Sequence, residues 1–188
     1  MGLVECLQFL FARPMRRDSD AIGDETGFDG PSRELVVADH SGNLATVQRL
    51  LKEGADPNRI GMDGHTPLIH ALVGANIDIV KATLRAGAAV NAVSPCGTAL
   101  TQAVVGGNPE AIVLLLKAGA DVNLASWKTA PLIRAVSGYP CSLEVVRLLV
   151  QAGAGVNAHD NEGRTVLQLA KRRRSRRVIQ LLIDAGAR

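Results

Sequence analysis

Four histidines, three cysteines and one dense run of cations are the groups of this 188-residue chain best suited to chemistry. An imidazole or thiol acts as ligand, base or nucleophile only when a second group holds it in range. His65 and His159 fall in turn-like stretches, and His40 ends a short helical pattern. No histidine has a further His or Cys at the spacing that one helix face requires. A His-Glu-x-x-His pattern and a phosphate-cradling glycine loop are both absent from the sequence. Gly106-Gly107-Asn108-Pro109 reads as a turn between helices rather than a phosphate cradle. Cys6, Cys96 and Cys141 are odd in number, far apart and without Cys-x-x-Cys spacing. That pattern argues against a disulfide framework and for a reducing, intracellular setting, most naturally the cytoplasm. The expectation is no catalysis, no cofactor and no metal.

The cations are Lys171, Arg172, Arg173, Arg174, Arg176 and Arg177, six charges within seven residues. Removing those six from the net charge of +3 leaves −3, so the basic character is local. A run of this kind suits nucleic acid phosphates, an acidic protein surface or a nuclear import signal. It has no neighbouring aromatic on which a base would stack. A solvated cap at the end of the molecule is the plainest reading.

The elements that position these groups are set by a repeat. Gly-Ala pairs begin at Gly54, Gly87, Gly119, Gly153 and Gly186, spaced 33, 32, 34 and 33 residues apart. Asn58, Asn91, Asn123 and Asn157 recur with the same first three spacings. Two markers in one register define a period, and a fixed period of this length belongs to stacked repeats.

Residues 61–93 show the grammar of a unit. Asp63-Gly64 is a turn dipeptide. Thr66 stands at a helix N-cap with Pro67 at the first helical position, where its missing N–H costs nothing. Leu68, Ala71 and Leu72 follow at helical spacing until Gly74-Ala75-Asn76 breaks the helix. A second helix from about Asp78 places Ile79, Val80, Thr83 and Leu84 on one face, and Gly87 ends it. Neither helix reaches the roughly 12–15 residues that are marginal alone in water, so each depends on its neighbours.

The run from Asp63-Gly64-His65-Thr66-Pro67-Leu68 to Gly87-Ala88-Ala89-Val90-Asn91 resembles the ankyrin repeat, as does Leu115 through Asn123. The resemblance covers residues 32–188 in units of about 32–60, 61–93, 94–125, 126–159 and 160–188. It implies an all-α solenoid of helix-turn-helix units with short β-turn fingers. Departures are clear. Ile69 stands where the family usually has His, the third unit shortens to Gly97-Thr98-Ala99-Leu100, and Ser126-Trp127-Lys128 replaces the fourth Asp-Gly turn. Residues around Gly138-Tyr139-Pro140-Cys141 lengthen the fourth interhelical break, and Val166 replaces the last Pro.

Function follows from the same resemblance. Fingers and first helices of such a stack line a groove that binds another protein. The positions nominated are Met62, His65 and Val73; Pro95, Cys96 and Val105; Trp127, Lys128, Thr129 and Ser137; and Glu162, Arg164 and Arg172. Trp127 and Tyr139 are the only aromatics within the array, and both lie in connections, so Trp127 is the expected anchor. The expected molecule is an adaptor, scaffold or inhibitor, monomeric when free, with nucleic acid binding by residues 171–177 as the alternative. Residues 1–31 stand outside the array: a short apolar pattern around Phe9-Leu10-Phe11, then a linker from Pro14 to Ser32. Glu5 amid the apolar residues argues against a signal peptide, and membrane association through residues 1–12 is a third reading.

Overall fold

The second helices of all five units are the same length, and each closes in the same way. They are α2 (Leu44–Lys52), α4 (Ile77–Arg85), α6 (Pro109–Lys117), α8 (Leu143–Gln151) and α10 (Arg176–Asp184). Gly54, Gly87, Gly119, Gly153 and Gly186 follow them with φ between 88° and 91°. Only glycine takes that conformation without strain, which is why these residues mark the period. The computed structural model describes residues 30–126, 129–138 and 141–188, with the backbone alone at Arg33, Val37 and His40. The apolar segment at 1–12 and the candidates Trp127, Lys128 and Tyr139 lie outside the described residues.

The first helices are α1 (Gly30–His40), α3 (Pro67–Val73), α5 (Ala99–Val105), α7 (Pro131–Ser137) and α9 (Val166–Arg172). α1 starts at Gly30, so the stretch expected to end as linker at Ser32 is already helical. Its early Pro31 is tolerated in a first turn, and Ser32 Oγ accepts the N–H of Asp56 at 3.1 Å, tying the helix start to its own unit. α3, α5, α7 and α9 are seven residues each, short enough to need stacking.

Caps explain where the helices begin. Asn43, Asn76, Asn108 and Ser142 accept backbone N–H groups at the starts of α2, α4, α6 and α8. Thr98 caps α5, and Thr165 forms a full capping box with Gln168 on α9. Thr66 occupies the N-cap position of α3 but its hydroxyl makes no capping bond. The Thr66 carbonyl accepts the N–H groups of Ile69 and His70 instead.

Neighbouring first helices pack on one another, second helices do the same, and the two layers meet within each unit. Between the layers lies an aliphatic core including Leu35, Leu50, Leu68, Ile79, Leu100, Ile112, Leu132, Leu149 and Leu182. Thr83 joins this core because its hydroxyl donates within its own helix, to the carbonyls of Ile79 and Val80. Turns project between units. The third carries a two-stranded hairpin, β1 (Val93–Ser94) with β2 (Gly97–Thr98), registering Val93 on Thr98 and Ser94 on Gly97.

Units are linked by their repeated asparagines. Asn58 donates to Gly87 O and accepts from Ala89 N; Asn91 donates to Gly119 O and accepts from Asp121 N. Asn123 joins Gly153 and Gly155 in the same way, and Asn157 joins Gly186 and Arg188. The Asn marker and the Gly marker therefore repeat together because one grips the other in the next unit.

Candidate functional site

The face built from first helices and turns carries most of the exposed apolar side chains. Met62 is fully exposed at the tip of the second turn, and Val73 is 43% exposed at the end of α3. Ile60 and Val93, not nominated from sequence, are exposed at the entrances to the second and third turns. Of the large hydrophobics exposed among the described residues, Ile183 alone lies on a second helix. The signal for Ile60 and Val93 was present, since both precede a turn and follow the helix stop by several residues. Val105, Thr129 and Ser137 are half-buried, while Pro95 and Glu162 are exposed.

Two nominated residues are placed differently from expectation. His65 is buried, 5% exposed, with its Nδ1 3.2 Å from Asp63 Oδ2. Cys96 is disulfide-bonded, whereas Cys141 is a free thiol. Burial pushes the Cys141 thiol above its usual range, with the Arg173 charge opposing.

The second turn is a compact polar cluster. Asp63 Oδ1 accepts the N–H of His65 at 3.1 Å, and Gly61 N–H donates to His65 O at 2.8 Å. Asp63 Oδ2 stands 3.2 Å from His65 Nδ1 and 3.0 Å from His70 Nε2. The two rings are tilted by 51° with centroids 5.4 Å apart. Partial burial works to raise the Asp63 carboxyl, but the His65 N–H and the two imidazoles hold it below its ordinary value. Sequence reading treated Asp63 as a turn former and took His65 and His70 separately. The fold joins them, because His70, midway along α3, stands 3.0 Å from Asp63 Oδ2 in the turn that leads into the helix.

The same helix position reaches its own turn in the third unit, where Gln102 Nε2 donates to Cys96 O. In the fourth unit the position is Arg134, whose Nε is buried without a hydrogen-bond partner. In the last unit it is Leu169. Arg164, in that unit's turn, binds Asp160 Oδ2 through Nη2 at 2.6 Å and Glu162 through Nη1 at 2.5 Å. Partial burial tends to raise Asp160, and the Arg164 N–H and guanidinium outweigh it and hold the carboxyl low.

The cationic tract spans the end of α9, the break after it and the start of α10. Lys171, Arg172, Arg173, Arg174, Arg176 and Arg177 are all exposed. Arg173 also donates to Ser137 O at the end of α7, so part of the tract fastens the last unit to the fourth.

Residues 35–126 match the family model described as ankyrin repeats in three copies, and residues 129–161 match the single ankyrin repeat. The chain belongs to the ankyrin repeat family. A Caenorhabditis elegans relative, the ankyrin repeat and KH domain-containing protein mask-1, is 33% identical over 90 residues. That stretch is 48% of this chain and 3% of the relative. Ankyrin repeats are generally modules of protein–protein interaction and typically not enzymes. The fifth unit extends mostly beyond the matched residues, yet α9 and α10 have the same lengths and the same Gly stop as the others. Among the described residues, no helix is long and apolar enough to cross a membrane.

Proposed function

We propose that this chain is an adaptor, scaffold or inhibitor that binds one partner protein on the face formed by its first helices and turns. The observation that supports this reading is the exposure of Ile60, Met62, Val73 and Val93, which lie in or beside the turns and first helices of the second and third units. Exposed apolar side chains on a rigid stack cost little entropy when covered, which favours a shape-matched protein over a flexible or purely ionic ligand. Trp127 and Tyr139, in the connections of the fourth unit, would extend the same surface. The free molecule is a monomer, and its exposed tract at 171–177 favours a partner with acidic groups at that end.

The test is direct binding of the full chain to a purified partner first found by affinity capture. Met62→Asp combined with Val73→Asp should weaken binding more than tenfold with helical content unchanged. Replacing Arg172, Arg174 and Arg177 by Glu should mainly slow association. The reverse result, with steep salt dependence and loss of binding only in the Arg variants, would assign the tract to nucleic acid and overturn the reading.

A further inference from the structure

We infer that Asp63, His65 and His70 form a three-ligand site for a zinc ion in the turn of the second unit, with its fourth position open to water. This goes beyond the protein-binding reading and does not depend on it. The three residues each present one donor atom, and those atoms lie within 4.8 Å of one another. Asp63 divides its carboxylate between two tasks. Oδ1 holds the His65 N–H, while Oδ2 faces both imidazoles at 3.0 and 3.2 Å. Those separations match the edge of a tetrahedron of zinc–ligand bonds, about 3.3 Å for bonds of about 2.0–2.1 Å.

The second observation is the His65 ring. It is 5% exposed, and neither of its nitrogens makes a hydrogen bond, although Nδ1 is close to the carboxylate. A buried imidazole without hydrogen bonds is costly, and a bound cation supplies the partner that one nitrogen requires. His70 is 8% exposed, whereas the Asp63 side chain is 28% exposed. The site is thus closed on two sides and open on the third, the form of a zinc site that keeps a water.

The backbone holds the donors without help from a metal. Gly61 N–H bonds His65 O at 2.8 Å and Gly64 N–H bonds Gly61 O at 2.9 Å. A Cβ at Gly61 would stand 2.8 Å from Asp63 Oδ1, so glycine there lets the carboxylate close over the turn. The fifth unit repeats the scaffold, with Asp160 N–H on Arg164 O and Gly163 N–H on Asp160 O, both at 3.0 Å. There a guanidinium meets the carboxylate, and the turn carries its own cation. In the second unit two imidazoles converge on the carboxylate instead. Two neutral imidazoles and one carboxylate suit a borderline divalent ion rather than magnesium or calcium.

Zinc chloride titrated into the full, chelator-treated chain and followed by calorimetry tests the site. One zinc per chain is expected, with affinity at least tenfold lower in Asp63→Asn and in His70→Leu. Asparagine keeps the oxygen that accepts the His65 N–H, and leucine already occupies the equivalent position as Leu169, so both variants should fold. His159→Ala should bind as the unaltered chain does. Should a variant fail to fold, imidazole NMR signals of the unaltered chain decide the matter, with zinc moving those of His65 and His70. No binding, binding unaffected by the two substitutions, or shifts confined to other histidines would overturn the site.

Discussion

Asp39 and Leu72 hold equivalent positions in consecutive units, three residues before a left-handed turn residue, and both are buried. The third and fourth units place Val104 and Val136 there. Asp39 is 4% exposed, and neither carboxylate oxygen has a hydrogen-bond partner among the described residues. A carboxyl at an apolar position is held neutral by desolvation.

Burial raises Asp39 from 3.8 to about 8. Below pH 4 the folded and unfolded chains are both protonated at this residue, and it adds no pH dependence. From about pH 4 to 8 the folded chain keeps a proton that the unfolded chain has lost, so stability falls as pH rises, by up to about 1.4 kcal/mol per unit. Asp39→Val should flatten that slope and stabilise the chain at pH 7.5 by about 1–3 kcal/mol. Urea denaturation at several pH values measures both. An unchanged slope would place Asp39 in contact with water.

Asn123 bridges the third and fourth units through Gly153 O at 3.2 Å and Gly155 N at 2.9 Å. Asn123→Ala removes both bonds from a solvent-exposed position, for an expected loss of about 1–2 kcal/mol. The loss should be similar for Asn91→Ala, because the geometry repeats. Chemical denaturation would detect it, and a change under about 0.3 kcal/mol would mean that water replaces the bridge.

Ala75 and Arg174 adopt φ of 53° and 55° at the break between helices, where Gly42 and Gly107 stand in other units. A Cβ disfavours this conformation by about 1–2 kcal/mol. Ala75→Gly should therefore stabilise the chain by about 0.5–1 kcal/mol after the added freedom of the unfolded glycine is counted. A lowered melting temperature would contradict this.

The repeat, its phase and its helix stops were legible because each rests on a local cause: glycine at positive φ, proline in a first turn, asparagine at a cap. The second role of Asn58, Asn91, Asn123 and Asn157 was legible only in part. Their period was visible, but the glycine carbonyl they grip lies one unit ahead. The cluster of Asp63, His65 and His70 was missed because no single helix face contains it. The turn folds beneath the helix that follows, and that juxtaposition has no sequence period. The pattern Asp-x-His followed by a His four residues into a Pro-started helix was the available signal. Asp39 was passed over for the opposite reason, since a polar residue near a helix end is ordinary until its neighbours bury it.

The bridges from Asn58, Asn91, Asn123 and Asn157 run to the helix stop of the next unit, whereas Asn76 Nδ2 donates back to Gly42 O in the unit before it. Opening an inner unit therefore breaks the bridges it shares with both of its neighbours, whereas an end unit shares them with one. Pulled apart by force, or unravelling on heating, the molecule should come undone in steps whose order depends on which terminus is freed first.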